Sequence, residues 1–265
     1  MSEVKSENPE RRGRPKHGAV DRFQTMAWFN SIARVLEIES AYSLERVIQR
    51  ENIVERDGKI ITSRAWDKYK VGTRVPQDGH MKSGKPGAVV AAEHHVPESG
   101  YVFRHPIWKV MRARTMGFDE ATRLISALKP SVAGYYMDLS KAMANNRTDS
   151  LSRNIGLPIW IERGDYYHAL DHLAANLIFL RLDIIRHLEG QRRDCAENVA
   201  KTLGPVAQSP WIWRFHEEMY DWLEANVWGN LFDELYTPRQ ENNASGWRKT
   251  KPDWLTAYSN EIRQS

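Results

Sequence analysis

Apolar residues begin to recur at helical spacing from Ala19. Val20, Phe23, Ala27, Ile32, Val35 and Leu36 mark a stripe that predicts an amphipathic helix ending near Glu39. A second, shorter helix is expected over "LERVIQREN", with Ser43 as N-cap and Leu44, Val47 and Ile48 on one face. The period then changes. In "NIVERDGKIIT" β-branched pairs flank Asp57-Gly58, a dipeptide that tolerates the positive φ angles of a tight turn, so a short β-hairpin is expected near residues 52–62. Thr62 or Ser63 would cap a third helix carrying Trp66 and Tyr69, stopped by Gly72 and Pro76.

Breakers dominate next. Gly79, Gly84, Gly87 and Gly100 alternate with Pro86, Pro97 and Pro106, which predicts an extended loop or linker over residues 77–106 and a candidate domain boundary there. Beyond "HPIWKVMRA" the pattern is helical: Asp119 to Leu128, then Pro130 to Met143. Asp165 to Leu188 carries the strongest stripe, Leu170, Leu173, Leu177, Leu180, Ile184 and Leu188, and should be a central buried helix. Gln191 to Leu203 adds another helix, and Ser209-Pro210 introduces "WIWRFHEEMYDWLEANV", apolar on more than one face. The chain therefore reads as mainly α, a multi-helix protein with one hairpin. Its expected divisions are a disordered basic tail (1–18), a helical basic module (19–76), the linker (77–106), a helical domain (107–236) and a C-terminal tail (237–265).

Composition agrees with a folded chain: 41% of residues are hydrophobic, with ten Trp, ten Tyr and seven Phe. The single cysteine, Cys195, excludes an intrachain disulfide and a multi-thiolate zinc site, which fits a reducing, cytoplasmic setting. No apolar leader or membrane-spanning run is expected, because "LAANLIFLRLDII" is interrupted by Arg181 and Asp183. Net charge is only +4, but it is unevenly placed. Lys59, Arg64, Lys68, Lys70, Arg74, Lys82 and Lys85 face only Asp67 and Asp78 between positions 59 and 87. Phosphate is the natural counter-charge.

Two stretches give that charge a form. "RRGRPKHG" resembles the core of an AT-hook, with Gly13-Arg14-Pro15 flanked by Arg12 and Lys16. The resemblance implies an extended segment lying along the minor groove of AT-rich DNA, where narrow grooves are strongly negative. In "TSRAWDKYKVGTRVP" the spacing of Trp66, Tyr69, Gly72, Arg74 and Pro76 resembles the end of the recognition helix in Cro/repressor-like helix-turn-helix proteins. It implies that Ser63, Arg64, Asp67 and Lys68 face base edges or phosphates while Trp66 packs inward. The chain departs from that family by placing a hairpin between the two helices. Lys68, Lys70, Arg74, Lys82 and Lys85 are the expected phosphate contacts.

Other chemistry is thinly supported. His168 and His172 lie one turn apart, but position 169 is alanine rather than the glutamate of a zincin, and a second His-carboxylate pair is missing. A hydrogen-bonded structural pair is expected instead. Arg181 with His187, and Arg163 with His168, match the spacing of helical ribonucleases of the HEPN type, but the spacing is nonspecific: Arg12 with His17 and Arg74 with His80 satisfy it where no such site is credible. No P-loop, dinucleotide or nucleophile-elbow motif occurs, and no cofactor or metal is expected. The reading is a DNA-binding regulatory or accessory protein, its basic N-terminal module on DNA and its C-terminal helices for dimerisation or a protein partner. The alternatives are a HEPN-like ribonuclease and a non-catalytic interaction module.

Overall fold

The fold was obtained as a computed structural model, which describes residues 17–57, 59–144, 166–182, 199 and 202–228. The expected basic tail to Lys16, the helix Gln191 to Leu203 (apart from single positions and its last residues) and the C-terminal tail lie outside the described residues.

The chain is mainly helical. Helix α1 spans Ala19–Val35 and α2 spans Ala41–Ile48. Ser40, rather than Ser43, caps α2, its hydroxyl accepting from Ser43 N at 3.4 Å. A turn of 3-10 helix leads to the antiparallel strands β1 (Val54–Arg56) and β2 (Lys59–Ile61), in the register Val54↔Ile61, Glu55↔Ile60, Arg56↔Lys59. Asp57 has φ 53°, the left-handed conformation that a two-residue hairpin loop demands. Helix α3 (Ala65–Lys70) follows and ends at Gly72, φ 70°.

The segment 77–106 departs from expectation. Only its first part is a loop; the rest forms helices α4 (Ala88–Glu93) and α5 (Ser99–Arg104), and Pro106 opens α6 (Pro106–Arg112). Ala88, Val89, Ala91, Ala92, Val102 and Phe103 are buried. Glycine and proline mark the ends of these short helices rather than an unstructured linker, and tertiary packing supplies the stability that six-residue helices lack alone. Helices α7 (Phe118–Ser126), α8 (Pro130–Ala144), α9 (Tyr166–Arg181) and α10 (His216–Leu223) complete the described bundle, the last running into a π-helical turn, Glu224–Trp228. Helix α9 lies within the strongest sequence stripe and is buried almost throughout.

Two apolar clusters share α1. Val20, Phe23 and Ala27 join α6 to α9 and Phe215, with Phe23 and Phe215 stacked at 5.5 Å. Trp28, Phe29 and Ile32 join α2 to α5 in an aromatic cluster with Trp66, Tyr69 and Phe103. A helix buried on both sides must satisfy its polar groups internally. Accordingly Thr25 and Ser31 donate to carbonyls of their own helix, and Asn30 donates to Trp211 O at 2.9 Å. Among the described residues, no helix is long and apolar enough to cross a membrane.

Candidate functional site

Helix α3 has six residues, too few to persist by local hydrogen bonding. Its position comes from side-chain contacts with Glu45 of α2 and with Gln49, the residue that ends α2, and from ring packing on α1. Trp66 Nε1 donates to Gln49 Oε1 at 3.1 Å. The Ser63 hydroxyl donates to Glu45 Oε1 and accepts from Ala65 N, so it both links α3 to α2 and caps the first turn. Trp66 and Tyr69 pack on Trp28 with ring centroids 5.5 and 5.6 Å away. With its inner face fixed this way, the helix turns Asp67 and Lys68 outward.

Of the sequence-derived residues, Arg12, Gly13, Arg14, Pro15 and Lys16 lie outside the described region. Trp66 is buried, 1% exposed. Ser63 was expected at a base edge, but its hydroxyl is committed to Glu45 and the helix cap. Lys70 is half-buried, and its ammonium donates to Glu39 O at 3.1 Å. Both are therefore positioning residues in this fold. Arg64 occupies the N-cap of α3 at φ 51° and is exposed, as are Lys68, Arg74, Lys82 and Lys85. The side chains of these five cations make no hydrogen bond or ion pair with any described residue.

Lys82 and Lys85 occupy the tip of a closed loop. Met81 N donates to Lys85 O, Gly84 N to Met81 O and Gly87 N to Gly79 O, with an isolated bridge between His80 and Pro86. Gly87 has no room for a side chain, because a Cβ would collide with the Gln77 and Gly79 carbonyls. The base of the loop is clamped by Arg104, whose guanidinium forks onto Asp78 at 2.6 and 2.8 Å and onto Glu93 at 2.7 and 2.8 Å. That hydrogen bonding holds the Asp78 carboxyl below its usual range. Asp78 is thus satisfied by Arg104 and leaves the tip lysines uncompensated.

The start of α1 meets this region. Gly72 packs on Arg22 so closely that a Cβ there would lie 2.5 Å from Arg22 Cγ and 2.9 Å from its carbonyl oxygen. Arg22 is four residues beyond Gly18, the N-cap of α1, where the chain enters from the basic tail. The end of α3, the beginning of the basic loop and the exit of the tail therefore share one corner of the fold.

The remaining candidates are dispersed. His168 and His172 stack at 4.8 Å, and Tyr136 Oη lies 3.0 Å from His172 Nδ1 and accepts from Asn176 at 3.2 Å. Among the described residues, no group of three or more His, Cys, Asp or Glu is arranged to hold a metal. Of the helical ribonuclease pairs on the long helix, Arg181 with His187 and Arg163 with His168, each has a member outside the described residues, and Arg181 is buried. Trp211 is buried in the larger apolar cluster and Trp222 packs half-buried against it.

One polar cluster carries no sequence signal. His105 and Asp171, both with fully buried side chains, meet at 2.7 Å between His105 Nε2 and Asp171 Oδ1. Tyr101 donates to the same carboxylate, and Lys129 N donates to its other oxygen at 3.2 Å. His105 Nδ1 accepts from Ile107 N, capping α6. An imidazole that accepts at Nδ1 while donating at Nε2 is neutral, and burial pushes His105 below its ordinary range against the opposing pull of Asp171. With no solvent access, this cluster ties α5, α6 and α9 together rather than forming a reactive centre.

The chain matches no protein-family model, no characterised protein by sequence and no solved structure, so its functional reading rests on this geometry.

Proposed function

We propose that this protein is a DNA-binding regulatory or accessory factor whose basic N-terminal region contacts the duplex while its C-terminal helices serve dimerisation or a protein partner. The observation that carries the reading is the convergence at one corner. The exposed cations Arg64, Lys68, Arg74, Lys82 and Lys85, none of them in an ion pair with a described residue, belong to α3 and the loop after it, and Gly72 between them packs on the first turn of α1. The hook-like Arg12 and Arg14 precede that turn. Six peptide steps lead from Arg12 to Gly18, a covalent reach of at most about 22 Å. One duplex can therefore meet both features, the tail taking a narrow AT-rich groove and the loop and helix taking phosphates. A cytoplasmic setting is part of this proposal and agrees with the lone Cys195.

Fluorescence anisotropy of labelled AT-rich and GC-rich duplexes across a salt series tests it. Five phosphate contacts give a log–log salt slope near about −4.5. The K68A/R74A/K82A/K85A variant should flatten that slope by about 3 to 4. R12A/R14A should abolish the AT preference while retaining most of the slope. An intact protein that binds neither duplex at moderate salt would sink the proposal.

A further inference from the structure

The β1–β2 hairpin carries exposed charges of its own. All three residues of β1 are exposed, as are Lys59 and Ile61. Register and alternation assign its faces: Val54, Ile61, Arg56 and Lys59 share one, and Glu55 lies on the other. Arg56 and Lys59 are directly opposed at the tip, and neither forms an ion pair or side-chain hydrogen bond with any described residue. A like-charged cross-strand pair weakens a two-stranded hairpin, which is already marginal in water. Glu55 points to the opposite face, and the one other acid of the hairpin, Asp57, lies in the turn beyond the pair and forms no ion pair with it. The arm is nevertheless fixed at its root, because Ser63, two residues past β2, is bonded to Glu45 of α2. Two exposed cations with no ion-pair partner among the described residues, side by side on a ribbon fixed at its root, are complementary to a phosphate backbone.

We infer that this hairpin face is a second duplex contact, with Arg56 and Lys59 gripping the phosphate backbone apart from the α3 and loop cations. Opposed side chains on neighbouring strands have Cβ atoms about 4.5–5.5 Å apart, a separation suited to one phosphate or two successive ones. The inference rests on the proposed DNA binding and adds residues and a surface to it.

The same anisotropy titration separates the two claims, using a mixed-sequence duplex, the full chain and three hairpin variants with circular dichroism as a fold check. R56A/K59A should flatten the salt slope by about one to two and weaken binding at 0.1 M salt about tenfold or more. R56K/K59R keeps the charges and should restore both. E55Q, on the other face, should leave the slope unchanged. If the intact protein binds with a steep slope that R56A/K59A leaves intact, the hairpin contact is overturned and the DNA reading stands. If the intact protein binds no duplex, or binds only anionic phosphatidylserine vesicles, both are overturned.

Discussion

At the scale of single residues, the buried His105–Asp171 contact makes the sharpest prediction. In the unfolded chain the imidazole takes up its proton near about pH 6.5. In the fold, burial and the N–H of Ile107 at Nδ1 oppose protonation, so it titrates lower. Between those two values the unfolded state binds more protons, and stability falls as pH drops below about 6.5. Urea midpoints measured from pH 8 to 5 should therefore decline more steeply for the native chain than for H105Q; equal slopes would refute the neutral, buried assignment. Neither partner was legible in the sequence. His105 falls in a breaker-rich segment, and Asp171 lies among the apolar residues of the strongest helical stripe. Their pairing spans 66 residues, and no local spacing encodes it.

At the scale of elements, α3 is held by its neighbours rather than by its own propensity. The helix-turn-helix resemblance implies an inward Trp66, and Tyr69, three residues on, is buried on the same face. Glu45 and Gln49, which fix its orientation, were not legible, since a polar residue on a short helix normally reads as solvated. The joint between α3 and α1 is the residue-sized gap at Gly72. G72A would place a Cβ against Arg22 and force φ 70° on an L-residue, a cost of about 1–3 kcal/mol. The variant should lower the denaturation midpoint and weaken duplex binding together, because it displaces the basic loop from the exit of the tail. Full affinity in a destabilised G72A protein would mean that this joint does not organise the interface.

At the scale of the whole molecule, α1 belongs to both apolar clusters and so couples them. The sequence reading divided the chain between a basic module and a later helical domain. In the structure, Phe23 stacks on Phe215, Asn30 donates to Trp211 O, and Arg22 pairs with Glu218 at 2.6 Å, all across that division. Residues so shared should unfold together. Tryptophan fluorescence and far-UV circular dichroism should report superimposable urea transitions; two separated transitions would show that the clusters fold independently.

By itself, the sequence determined what depends on neighbours a few residues apart. Periodicity set the helical class, Asp57-Gly58 set the hairpin, and composition set a basic stretch between Lys59 and Lys85. Tertiary structure decided which of those charges stay available. Ser63 and Lys70 are drawn into internal contacts and Asp78 into the Arg104 clamp, while Arg64, Lys68, Arg74, Lys82 and Lys85 remain exposed. It also decided that the segment after Gly87 is helical core rather than linker. The physical reason is common to both: burial and hydrogen bonding are satisfied between residues distant in sequence, and a one-dimensional pattern records the supply of polar groups without recording where their partners lie.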